Sequence, residues 1–265
     1  MDRTELRAAF AAAAKATRDA GKLALSYFHR PNRLIVEQKG PQDFVTVADR
    51  EVERFLIERL HLVHRDAVVL AEESAPTYSG SGEPVWLIDP IDGTGNFVRG
   101  IPLFCTSVAL WEEGAVRLGL IYDPVRDEMY EALEGEGAFV NGRAIRASAT
   151  QEAGRAVVGI GRSLKTPQEP VAQALTRVLE MGLAARMIGT AALAASWVAA
   201  GRLDGFFEAE LKAWDIGAAV RIALEAGCEI DTRLDEEALR HGTPFLVAAP
   251  AVVDVIRRAS GLREA

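Results

Sequence analysis

Asp89 and Asp92 flank a Pro90-Ile91 dipeptide and run straight into Gly93 and Thr94. Two carboxylates at this spacing suit a turn, where Asp often bonds its own backbone. They equally suit a hard divalent cation, which takes oxygen ligands. Val85, Trp86, Leu87 and Ile88 form an apolar run just before them, long enough for a buried strand and too short for a helix. The two acids therefore stand at the C-terminal mouth of a strand. Pro90 stiffens the turn between them, and Gly93 lets the backbone come close to a ligand. A helix opening over residues 94–98 would aim free N–H groups and the positive end of its dipole at the same spot. Amides attract an anion and carboxylates attract a cation, which together describe a metal–phosphate site. Residues 83–104 are the stretch around which the rest of the chain is organised.

Other acids stand at element boundaries. Thr46 and Asp49 have the spacing of a capping box. Glu72 and Glu73 close a strand-like run over residues 67–71, before a Gly/Ser/Pro-rich loop at 76–84, and on pattern alone could be solvated surface. Asp215 opens a helix after Ala213-Trp214, an ordinary place for an acid. Gly189-Thr190-Ala191-Ala192 lies at a strand-to-helix turn, where backbone amides are expected to be free for a ligand.

The elements that must position these residues follow from periodicity. Leu6, Phe10, Ala13, Ala14, Leu23 and Tyr27 mark an amphipathic helix over 4–27, ended by Pro31. A short strand is expected at 34–36, and a second helix carries Val52, Phe55, Leu56, Leu60 and Val63. Strands over 106–111, 116–122 and 128–133 read as an antiparallel meander, and Asn141-Gly142 marks a two-residue hairpin. From about residue 155 strands and helices alternate: strands at 156–160, 185–188 and 204–208, helices at 169–181, 191–200 and 214–226. The expected organisation is an α+β half over 1–150 carrying most of the site, and an α/β half over 151–265 completing it.

Bulk properties exclude several classes. The chain has 265 residues, 49% hydrophobic and 26% charged, enough for a sizeable soluble core. A net charge of -8 argues against a nucleic-acid surface. Cys105 and Cys228 are too isolated for disulfides or a zinc site, and read as buried thiols of a reducing compartment. Charges interrupt the alanine-rich N-terminal segment, so no membrane span is expected, and the reading is cytoplasmic. Cysteine-phosphatase chemistry needs Cys-x5-Arg, but the sixth residue after each cysteine is Trp111 or Leu234. A phosphoaspartate enzyme needs Asp-x-Asp, and Asp89 and Asp92 are one residue too far apart. His29, His61, His64 and His241 lie in no motif.

The run Asp89-Pro-Ile-Asp-Gly-Thr-Gly-Asn-Phe97 resembles the signature of the inositol monophosphatase family, the lithium-sensitive, magnesium-dependent phosphatases. Three further segments resemble its motifs in order: Lys39 with Asp43-x-Val-Thr46-x-x-Asp49; Glu72-Glu73-Ser74, where Ala71 replaces the usual glycine; and Trp214-Asp215-x-x-Ala218. The resemblance implies a layered αβαβα sandwich of the sugar-phosphatase type, two or three Mg2+ ions, and a homodimer. It implies metal ligation by Glu72, Asp89, the Ile91 carbonyl, Asp92 and Asp215, with Glu73 supporting the loop. Catalytic roles are implied for Thr94, Asp49 and Glu72, with Thr94 on Asp49 orienting the attacking water. Substrate contacts are implied for Asp92, Gly93, Thr94, Ala191 and Glu208, the last at the position that meets sugar hydroxyls. The implied activity is hydrolysis of inositol 1-phosphate or a similar small polyol phosphate. Alternatives are histidinol phosphate, fructose 1,6-bisphosphate or a 3',5'-nucleotide bisphosphate as substrate, or a non-catalytic metal-dependent regulatory protein.

Overall fold

Asp2 opens the first helix, α1 (Arg3–Phe28), by accepting from the amides of Thr4 and Glu5, while Glu5 reaches back to the Asp2 amide. In this computed structural model a 3-10 turn at Pro31–Arg33 follows, so the expected strand at 34–36 is displaced to β1 (Val36–Gly40). β1 pairs antiparallel with β2 (Asp43–Thr46). Thr46 then caps α2 (Val47–Val63), and the capping box with Asp49 is complete. The structure describes residues 1–40, 43–74, 78, 80, 82–162 and 167–262. Pro41 and Gln42 of the first motif, and Pro76, Thr77, Ser79 and Ser81 of the Gly/Ser/Pro-rich loop, lie outside the described residues.

The first sheet keeps chain order across seven strands: β3 (Val68–Ala71), β4 (Val85–Asp92), then, after the short helix α3 (Thr94–Val98), β5 (Cys105–Glu112), β6 (Ala115–Asp123), β7 (Glu128–Leu133), β8 (Ala138–Val140) and β9 (Arg143–Ala144). β3 and β4 are parallel and every later pair is antiparallel. Asn141 and Gly142 turn the last hairpin with φ of 48° and 75°, as a type I′ turn requires.

The second half contributes β10 (Val157–Ile160), α4 (Glu169–Glu180), β11 (Ala184–Arg186), α5 (Ala191–Ala199), β12 (Gly205–Leu211), α6 (Ala213–Glu225), β13 (Glu229–Ile230), α7 (Glu236–His241), β14 (Thr243–Ala248) and α8 (Val253–Ser260). Its sheet runs β11-β10-β12-β14-β13, with β10 parallel to both β11 and β12.

The apolar faces sort these elements into layers. Alternate residues of β4 part company: Trp86 and Ile88 pack with α1 and α2, whereas Val85 and Leu87 pack with α5 and α6. Phe206, Phe245 and Val247 close the far side of that middle helix layer, while Val158, Phe207 and Leu246 face α4 and α8. The result is the αβαβα sandwich. Gly217 marks how tightly α6 lies on the first sheet, because a methyl group there would press into the Leu87 side chain. Among the described residues no helix is long and apolar enough to cross a membrane.

Candidate active site

The spacing of Asp89 and Asp92 has a structural solution in the ladder. Asp89 pairs with Ser107 and Asp92 with Cys105, so three steps on β4 face two steps on β5. In a regular strand residues three apart point to opposite faces; the extra residue of this bulge restores Asp92 to the face of Asp89. That face is the one Leu87 presents to the middle helix layer. Thr106 holds the bulge by donating to the Pro90 carbonyl at 2.9 Å. Gly93 leaves the strand with φ of 97°, and a Cβ there would crowd the Leu103 and Gly189 carbonyls at 3.0 and 3.2 Å.

Asp92 is held by donors from two elements. The Ala192 amide donates to Oδ2 at 2.7 Å, the Ala191 amide to Oδ1 at 3.3 Å, and the Thr190 hydroxyl also donates to Oδ2. The Cys105 thiol completes the ring at 3.7 Å. This corrects the expectation that the amides of the 189–192 turn are free: a carboxylate of the first sheet caps α5. Burial still pushes the Asp92 carboxyl above its ordinary range against these donors, and pushes the Cys105 thiol well up.

Asp49 lies buried beneath Thr94. Its Oδ2 accepts from the Thr46 amide at 2.8 Å and the Thr46 hydroxyl at 2.6 Å. The Thr94 hydroxyl is 3.2 Å from Asp49 Oδ1 and 3.0 Å from the Ile91 carbonyl. Burial raises the Asp49 carboxyl to about 6, with the Thr46 bonds opposing and the Glu73 charge adding to the rise. Beside it, the Glu73 amide donates to Glu53 at 2.8 Å, and the Glu72 amide to the Ile88 carbonyl at 3.2 Å, which fixes the turn after β3.

A cleft of about 750 Å3 gathers the remaining residues. Glu72 and Asp89, Asp92 and Asp215, the Ile91 backbone, Gly93, Thr94, Ala191 and Glu208 all line it, while Asp49 reaches it through Thr94. Asp215 is fixed by the Lys212 amide at 2.7 Å, the helix-start role its position suggested. Burial, then Glu72, Asp92 and Asp215, lift Asp89 well above the carboxylate range; burial, then Asp215, Glu73 and Asp49, do the same to Glu72. Burial, then Asp215 and Asp92, raise Glu208 to about 8. Among the described residues no three His, Cys, Asp or Glu side chains are close enough to be a ready-made cation cage. The donors nonetheless suit a hard cation. They are oxygens only, and Asp89 Oδ1 is buried with no hydrogen-bond partner.

Sequence reasoning missed several contacts and lining residues of this site. Thr190 and Cys105 bind Asp92 across 98 and 13 positions, a proximity visible only in the fold. Asn96, quoted only as part of the motif, donates to the Leu103 carbonyl at 2.9 Å and the Ile188 carbonyl at 2.7 Å, tying the turn after β4 to the one after β11. Arg99, Arg162 and Arg186 also line the cleft, and scattered arginines carry no sequence signal.

Comparison with known proteins agrees with this geometry. The model of the inositol monophosphatase family matches residues 5–256. The Nus factor SuhB of Haemophilus influenzae is 34% identical over 246 residues, covering 91% of each chain. The inositol-1-monophosphatase of Rhizobium meliloti is 38% identical over 214 residues, covering 78% of this chain and 79% of the relative. The crystal structure of extragenic suppressor protein SuhB from Bartonella henselae superposes with a TM-score of 0.85 at 32% identity, covering 93% of this chain and 95% of the other. A match along nearly the whole length, joined to a cleft lined by carboxylates of three motifs and reached by Asp49 of the fourth through Thr94, leaves one assignment: this chain belongs to the inositol monophosphatase family.

Proposed function

We propose that the chain is a Mg2+-dependent phosphomonoesterase acting on inositol 1-phosphate or a similar small polyol phosphate. The observation that carries the reading is the buried, unpartnered Asp89 Oδ1 set among like charges. Such a carboxylate is costly to hold ionised and is relieved by a cation. Glu72, Asp89, the Ile91 carbonyl, Asp92 and Asp215 would hold the ions. When bound, Mg2+ offsets the phosphate charge and acidifies a coordinated water.

The chain's own groups do the rest. The Thr94 hydroxyl, fixed between Asp49 Oδ1 and the Ile91 carbonyl, keeps lone pairs to orient a water. Asp49, raised to about 6, is suited to take the proton passed through Thr94 near neutral pH. The Gly93 and Thr94 amides hold phosphate oxygens at the opening of α3. Glu208, whose carboxyl is raised by burial and by the Asp215 and Asp92 charges, lines the cleft where a substrate hydroxyl would sit, as does Ala191.

The name of the Haemophilus relative carries a second reading, a Nus-factor role that needs no turnover. Phosphate release separates the two. The assay compares inositol 1-phosphate, histidinol phosphate, fructose 1,6-bisphosphate and a 3',5'-nucleotide bisphosphate, each with Mg2+ and with excess EDTA. The phosphatase reading expects Mg2+-dependent release that LiCl suppresses and equal KCl does not. No release with Mg2+ from any of them, or release undiminished in EDTA, overturns it.

A further inference from the structure

The second sheet delivers more than Glu208 to the cleft. β10 pairs in parallel with β11 through Gly159 and Arg186, and with β12 through Ile160 and Phe207. Arg186 at the end of β11, the Gly161-Arg162 step just past β10 and Glu208 within β12 therefore follow one another across three neighbouring parallel strands. Ligands of open α/β sheets bind at the C-terminal ends of such strands. The Gly161 amide donates to the Phe207 carbonyl at 2.9 Å, and a Cβ on Gly161 would collide with the Glu208 carboxylate. The chain entering Arg162 is thus pinned against the group proposed to meet substrate hydroxyls.

Both arginines are exposed and line the cleft. Among the described residues Arg162 makes no hydrogen bond or ion pair, and Arg186 donates only to the neighbouring Ala185 carbonyl at 2.8 Å. Elsewhere some arginines meet acids, as Arg202 meets Glu128 at 2.6 Å, Arg257 meets Asp231 at 2.5 Å and Arg221 meets Glu225 at 3.1 Å. Others, such as Arg54, Arg65 and Arg143, have no acid partner among the described residues. What sets Arg162 and Arg186 apart is their place: both line a carboxylate-rich cleft with no acid partner among the described residues.

We infer that the preferred substrate carries two phosphates, one for the carboxylate-lined floor and a second on the leaving polyol or sugar, gripped by Arg162 and Arg186. A guanidinium matches phosphate with paired, charge-assisted hydrogen bonds. A substrate with a single phosphate would occupy the floor and leave both arginines unused. The inference rests on the phosphatase reading and narrows it to bisphosphorylated small polyols.

The test measures kcat/KM with Mg2+ for two matched pairs: inositol 1,4-bisphosphate against inositol 1-phosphate, and fructose 1,6-bisphosphate against fructose 1-phosphate. The wild-type protein should favour the bisphosphate by about tenfold in at least one pair, the worth of one charge-assisted hydrogen bond. Arg162→Gln and Arg186→Gln should each move that ratio toward one, and added NaCl should shrink it, because exposed charges are screened. Equal kcat/KM within both pairs, or a preference that survives both substitutions, overturns the inference and leaves the phosphatase reading standing. No phosphate release from any of the four overturns both.

Discussion

The two ends of α6 bury charge in opposite ways. At its C-terminal end Arg221 donates to the Val116 carbonyl at 2.6 Å, to Glu225 at 3.1 Å and to Glu134 at 3.3 Å. Glu225 also accepts from the Gly135 and Gly137 amides at 2.7 and 2.9 Å. Burial pushes the Glu225 carboxyl up, yet these donors outweigh it and its pKa falls below the ordinary value. At the N-terminal end Asp215 joins Glu72, Asp89 and Asp92, each of which is driven up. Burial opposes the charge at both ends. The donors outweigh it at Glu225, whereas at the deeper N-terminal end it prevails even over the donors that hold Asp92, and like charges add to it at Glu72 and Asp89. One end is a finished ion-pair network that serves the fold; the other is a like-charge cluster, and such clusters are where ligands act.

Substituting one residue at each end should break this contrast if it is wrong. Asp89→Asn removes a charge that stands among like charges, with Oδ1 unpartnered and Glu72 as its side-chain hydrogen-bond partner. Phosphate release should fall at least about 100-fold, since charge stabilisation at a phosphoryl group is worth several kcal/mol. Unfolding in urea with EDTA present should show equal or greater stability than wild type. Arg221→Ala is the mirror image. It leaves Glu225 without its cation and Glu134 with Arg117 alone, and should lower stability by about 3 kcal/mol while folded molecules keep wild-type turnover. An Asp89→Asn protein that unfolds much earlier in EDTA yet turns over normally would mean the active site lies elsewhere.

Asp92→Asn sharpens the comparison, because Asp92 belongs partly to each class. Shape and spacing alone suggest that losing this charge leaves the metal-free fold as stable or slightly more so. The cap it forms on α5 reverses that expectation. An amide nitrogen in place of Oδ2 would meet the donors of Thr190 and Ala192, and the loss should be about 1–2 kcal/mol in EDTA. Unchanged stability beside an Asp89→Asn control would show that the cap contributes nothing.

Much of the floor was legible because its signals are local. Asp89-Pro-Ile-Asp92 ends an apolar run, Thr46 and Asp49 fit a capping box that is formed, and Asn141-Gly142 turns the hairpin it announces. What escaped depends on distant contact. The amides of Ala191 and Ala192 look free along the chain, and only packing of the middle helix layer on β4 brings Asp92 to them. The last elements carry weak local signals as well. Residues 243–248 form a central strand of the second sheet, yet their apolar run is short and Pro244 argues against a strand, a conflict settled by pairing with β12 and β13. β1 was misplaced by a few residues because the 3-10 turn after Pro31 takes up chain that periodicity cannot see.

The central claim is that this floor stores like charge which a cation relieves, and wild-type thermal melts across pH, with and without Mg2+, test it most directly. Asp49 and Glu208 rise from ordinary values of 3.8 and 4.5 to about 6 and about 8 in the folded chain. Between those limits the native state keeps protons that the unfolded chain has released, so their contribution is full below about pH 4 and is lost as pH climbs to about 8. Without metal, the melting temperature should therefore decline from pH 5 to pH 8. Mg2+ binds the ionised carboxylates, so it should raise the melting temperature strongly at pH 8 and little at pH 5. A metal-free melting temperature that rises across this window, together with no response to Mg2+ at pH 8, would contradict the account.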